Sequence, residues 1–121
     1  MRAVRRISGN HVATDDDDEI ESVGGNLTVE DGVRVEVERS IGGNVDVRDE
    51  ADMYVGGNIG GNLKIAAGSI VTVDGSVGGN VRTDGGEVTL NGRVGGNVDV
   101  YGDGVAEVDD GQVGGNIRYH D

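Results

Sequence analysis

A chain of 121 residues with no Phe, no Trp, three Tyr and no Cys lacks the large side chains that usually fill a globular interior, and the thiols of a disulfide framework or thiolate metal site. Its 23 acidic against 10 basic residues leave a net charge of −13, which repels phosphates; without a basic groove or aromatic platforms, nucleic-acid binding is excluded. No apolar stretch approaches the roughly 18 residues needed to span a bilayer as a helix.

Residues 1–22 read as an N-terminal segment. Met1 to Ile7 is basic without an apolar run behind it, so a secretory signal is not expected. Ile7-Ser8-Gly9-Asn10 is a degenerate, shortened first coil, followed by an acidic loop, Asp15-Asp16-Asp17-Asp18-Glu19. From residue 23 to 121 a repeat takes over: an aliphatic residue followed by Gly-Gly-Asn starts at Val23, Ile41, Ile59, Val77, Val94 and Val113. The triplets end at Asn26, Asn44, Asn62, Asn80, Asn97 and Asn116, at intervals of 18, 18, 18, 17 and 19. A seventh triplet, ending at Asn58, falls off this beat and takes position 18 of its coil, where other coils carry Ser22, Ser40, Ser76, Arg93 and Gln112. A fixed period of this length marks a repeat architecture.

Within each period the aliphatic residues come in pairs two apart, such as Leu27/Val29, Val45/Val47, Leu63/Ile65 and Val98/Val100. Such pairs predict short strands burying one face, and the frequent Gly and β-branched residues argue against helix. The fold class expected is all-β: a single-stranded β-solenoid, a parallel β-helix of about six coils of about 18 residues. Each coil lays out as three faces, with inward pairs at positions 5 and 7 and at 11 and 13, and the third face supplied by position 1. Stacking at about 4.8 Å per rung places Val23, Ile41, Ile59, Val77, Val94 and Val113 in one apolar column. The Gly-Gly-Asn triplets fit corners, where glycine reaches positive φ and Asn tolerates the left-handed region, and their amides could bond to one another as a ladder.

This register puts opposite charges beside one another on the outside, at Asp46/Lys64, Arg82/Asp99, Asp99/Arg118 and Glu30/Arg48, with one like pair at Lys64/Arg82. The shorter and longer intervals are a one-residue deletion absorbed in Asp84-Gly85-Gly86 and a one-residue insertion absorbed in Asp109-Asp110-Gly111.

Candidate chemistry is sparse. His11 and His120 lie one near each end, read as solvated end residues, with no catalytic, metal or cofactor role expected. A phosphate-cradling glycine loop needs a helix after it, and here both flanks are strands. Hexapeptide acyltransferases stack similar coils but repeat an aliphatic-Gly step three times per coil, against one here, so an enzyme is not expected. The nine-residue calcium pattern of toxin repeats is absent, and the Asp15 to Glu19 run reads as a solvated loop.

A stacked rod has two open edges, and the last coil, ending in "GGNIRYHD", carries no recognisable cap. Ile7 and Val12 at one end and Ile117 and Tyr119 at the other are the candidate polymer interface. The steps "IGGNVDV" at 41–47 and "VGGNVDV" at 94–100, set in such a solenoid, resemble the bactofilins and their archaeal, halofilin-like relatives, the polymer-forming cytoskeletal proteins. That resemblance, over about residues 7 to 119, implies a right-handed three-sided β-helix, nucleotide-independent assembly end to end, commonly into non-polar filaments, and a role in cell shape or in scaffolding partners. The expected function is therefore a non-enzymatic, self-assembling scaffold whose partner is itself, placed in the cytoplasm, with at most a weak peripheral membrane contact through Arg2, Arg5 and Arg6. The acidity suits a halophilic setting. The alternative from another class is a monomeric or surface-exposed solenoid serving as a binding or adhesion module.

Overall fold

The structure, a computed structural model, describes residues 5–7, 9–13, 18–108 and 113–120. Among these there is no helix, and the strands, numbered in chain order, form two parallel seven-stranded sheets. The first contains, edge to edge, β1 (Arg5–Ile7), β3 (Asp18–Val23), β5 (Arg34–Val37), β7 (Asp52–Val55), β9 (Ile70–Val73), β11 (Glu87–Leu90) and β13 (Val105–Glu107). The second contains β2 (His11–Ala13), β4 (Leu27–Val29), β6 (Val45–Val47), β8 (Leu63–Ile65), β10 (Val81–Asp84), β12 (Val98–Tyr101) and β14 (Ile117–His120). Odd strands alternate with even ones along the chain, so each circuit visits both sheets once. A third face is a column of single parallel bridges, Val23 to Ile41 to Ile59 to Val77 to Val94 to Val113. The molecule is thus a parallel β-solenoid of about six 18-residue coils, and β1 to β3 pair into the same two sheets ahead of Val23.

Alternation decides what is buried. In β4, β6 and β8 the first and third residues are buried and the middle one is not, as a period of two requires. The whole position-1 column from Val23 to Val94 is at most 1% exposed, whereas Val113 is only partly buried. The first sheet buries three positions per coil rather than two. Beside Val33/Val35 and Ala51/Met53 lies a further column, Ile20, Val37, Val55, Val73 and Leu90. Val37, Val55, Val73 and Leu90 end their strands just before a corner, so the third buried position is hidden in what looks like turn sequence.

Two polar side chains lie in this interior, each with its bonds made. Ser69 occupies the column of Val33 and Ala51; its hydroxyl donates to the Arg48 carbonyl and accepts the Ala51 N–H at 3.2 Å. Thr83 donates to the Gly86 carbonyl at 2.8 Å and accepts the Gly86 N–H at 2.9 Å. That closed ring clamps the shortened turn. Pairing is offset by 18 at Thr83 and Ile65 but by 17 at Glu87 and Ile70, so the deletion lies at residues 84–86. The compensating insertion lies between Glu107, offset by 18 from Thr89, and Val113, offset by 19 from Val94; residues 109–112 are outside the described part of the chain.

Candidate functional site

The corners hold the stack in phase, by a different geometry from the one the sequence suggests. Among the described residues, the glycines with positive φ are Gly32, Gly68, Gly85 and Gly102, all at the turn between the second sheet and the first. The glycines of the Gly-Gly-Asn triplets are not among them. They are required by close approach: a Cβ on Gly61 would stand 2.2 Å from Oδ1 of Asn44 and 2.9 Å from the Gly43 carbonyl oxygen. The coil below passes too near for any side chain.

Asparagine supplies the link between coils. The backbone N–H of Asn44 donates to Oδ1 of Asn26 at 2.8 Å, and the same bond joins Asn26 to Asn10, Asn62 to Asn44, Asn80 to Asn62, Asn97 to Asn80 and Asn116 to Asn97. The ladder is therefore side-chain oxygen to backbone N–H, directed along the rod, rather than amide to amide. A second bond runs the other way, from the N–H after each Asn to the carbonyl of the next Asn, as in Leu27 to Asn44, Val45 to Asn62 and Val98 to Asn116, all at 2.8 to 2.9 Å. Asn58 is more than a polar turn residue: its Oδ1 accepts the Ser76 N–H at 2.8 Å, repeating the same device at the neighbouring corner, above Gly57.

The outer charges follow the expected register but make different contacts. Asp46 lies opposite Lys64 and Arg82 opposite Asp99, yet Arg48 pairs with Asp46 at 3.7 Å and Arg82 with Asp84 at 3.2 Å, both along a single strand. Successive same-face residues of one strand reach each other as readily as neighbours on the next. Arg82 also stands 4.5 Å over the Tyr101 ring, on which His120 stacks at 4.3 Å while its Nε2 lies 3.2 Å from Asp99 Oδ1. His120 is thus half-buried and bonded rather than a solvated end residue, and His11 is half-buried in β2 opposite Leu27. On the first sheet, Tyr54 donates to Asp74, which also accepts from Asn91 Nδ2 at 2.8 Å. These bonds, Tyr54's first and Asn91's second, hold the Asp74 carboxyl below its ordinary range, and the bond to Asp74, with smaller help from burial and from the Asp74 and Glu36 charges, raises the Tyr54 phenol.

The end residues divide. Ile7 and Ile117 are partly buried against the core. Tyr119 stands opposite the buried Val100, in an inward column, yet is 71% exposed because it tops the stack. Val12 lies opposite Thr28 and is 51% exposed, so its side chain points to the flank; only its strand belongs to the edge. Asp18 and Glu19 open β3, and the rest of the acidic run, residues 15–17, is outside the described residues. A shallow groove of about 640 Å³ on the second sheet is lined by Asp31, Asp46, Arg48, Asp49, Lys64 and Asp84, of mixed sign. Among the described residues no three His, Asp or Glu side chains converge as metal ligands, and no helix is long and apolar enough to cross a membrane.

What the arrangement offers chemically is edge strands and apolar column ends. No protein-family model matches the chain, and neither does any curated protein or solved structure.

Proposed function

We propose that this chain is a self-assembling structural protein whose solenoid units stack end to end, without nucleotide, into filaments that act as a bactofilin-like cytoskeletal scaffold, with no enzymatic step. The observation that carries this reading is the state of the last coil. Val113, Ile117 and Tyr119 continue columns that are buried from Val23 to Val94, from Leu27 to Val98 and from Ala13 to Val100, and here they are left partly or largely open. Covering each such side chain contributes about 1.5 to 3 kcal/mol, and an edge strand with free N–H and C=O groups is a template for another chain.

Charge opposes the stacking of like subunits, and salt screens it, from a Debye length of about 10 Å at 0.1 M to 3 Å at 1 M. Light scattering and negative-stain microscopy over a salt series test the proposal. Filaments that lengthen with salt are expected; particles of monomer size at every salt concentration would overturn it.

A further inference from the structure

We propose that Asn91 is a site of spontaneous covalent modification, at which the main-chain nitrogen of Gly92 displaces the side-chain amide and leaves an aspartyl or isoaspartyl residue in its place. Ring closure of this kind needs an exposed asparagine, a following residue without a side chain to shield its nitrogen, and an N–H not held in a hydrogen bond. Asn91 is followed by glycine, whereas every other asparagine in the chain is followed by His, Leu, Val or Ile, whose side chains crowd the approach. Strand β11 ends at Leu90, and Asn91 is exposed just beyond it. The Asn91 N–H donates to the Val73 carbonyl at 3.0 Å, but among the described residues the Gly92 N–H has no partner. Glycine is also forced at this place by the fold: a Cβ on Gly92 would stand 2.1 Å from the Gly75 carbonyl oxygen. The coil below therefore requires the very residue that leaves Asn91 open to attack.

In the reaction the Gly92 nitrogen gives its proton to solvent base and bonds to Cγ of Asn91. The Cγ–Nδ2 bond breaks, and ammonia leaves after taking a proton from water. A second water opens the cyclic imide at either carbonyl, so that amide and water become carboxylate and ammonium with nothing oxidised or reduced. The change falls on a joint between coils. Asn91 Nδ2 donates to Asp74 Oδ1 at 2.8 Å, and Asp74 also accepts from Tyr54. Conversion removes that donor and sets one carboxylate against another on adjacent rungs, which is destabilising. The isoaspartyl product adds a main-chain atom immediately before Gly92, where the backbone already lies in contact with Gly75. Age would thus loosen the stack at one defined rung.

Trypsin makes the test specific. Cleavage after Arg82 and Arg93 releases residues 83–93, in which Asn91 is the one side-chain amide, and cleavage after Lys64 releases residues 65–82, in which Asn80 precedes Val81. The whole chain is aged in mildly alkaline buffer, once folded and once in urea, then digested and weighed. The expected result in the folded sample is loss of amide from 83–93, with two products of equal mass separated by chromatography, while 65–82 keeps its amide. A gain in mass also distinguishes this reaction from isomerisation at Asp74-Gly75 or Asp84-Gly85, which changes no mass. Conversion of 83–93 in urea alone would show that the fold protects Asn91 and would overturn the proposal, as would equal conversion of the two peptides. For the consequence, the urea midpoint is expected to fall from the native chain to Asn91→Ala, which only removes the bond, and further to Asn91→Asp, which adds the charge. Asn91→Asp at or above Asn91→Ala would overturn the carboxylate clash.

Discussion

At the level of single residues, the joint between coils rests on a glycine that leaves room and an asparagine that bridges it. Gly61→Ala would drive a methyl into the Asn44 amide and the Gly43 backbone, and neither can withdraw without breaking the ladder. The expected cost is about 2 to 4 kcal/mol, read as a lowered urea midpoint. Glu50 is the counter-case. Among the described residues it is the one non-glycine with positive φ, 57°, at the turn where neighbouring coils place Gly32 and Gly68. Glu50→Gly should therefore raise stability by about 1 kcal/mol, measured by the same titration. The Tyr54 to Asp74 bond gives a pH signature. Because the Asp74 pKa is lowered by folding, its contribution is present above the ordinary carboxylate range and lost as pH falls through the folded value; because the Tyr54 pKa is raised, its contribution is present below the ordinary phenol range and lost as pH rises through the folded value. The difference in melting temperature between the native chain and Tyr54→Phe should accordingly be greatest near neutrality and shrink in acid and in strong base.

At the level of the strands and columns, burial and exposure separate fold from assembly. Val77 is 1% exposed in the middle of the third face, so Val77→Asp places an unpaired charge between Ile59 and Val94 and should unfold the protein, at a cost of about 4 kcal/mol or more. Ile117 lies in the terminal strand with one side open, and Ile117→Asp should leave the circular dichroism spectrum intact while abolishing sedimentation of polymer. Both variants unfolding would show that the end strand is integral to the core. This is also the level at which the sequence is most and least informative. The 18-residue beat and the aliphatic pairs made the two long columns and the position-1 bridges legible, because periodicity reports burial directly. The column of Val37, Val55, Val73 and Leu90 was less legible: each is followed by polar or glycine corner residues, so a buried strand end resembles the start of a turn. The role of Asn58 was obscured by the same logic, since a side-chain acceptor at a second corner leaves no periodic trace when neighbouring coils carry Ser or Arg there. The glycine requirement in the triplets was visible, but its cause, the passage of the next coil within contact distance, exists only once the coils are stacked.

For the molecule as a whole, the two ends and the net charge of −13 set opposing tendencies: apolar columns and open strand edges favour continuation into another copy, and like charge restrains it until salt intervenes. Electron cryomicroscopy of the protein assembled in high salt addresses this most directly. The account predicts filaments one solenoid wide in which rungs spaced by about 4.8 Å run unbroken across the junction between copies. A filament of separated globules, a junction where the rung spacing is interrupted, or a field of isolated short particles would contradict it.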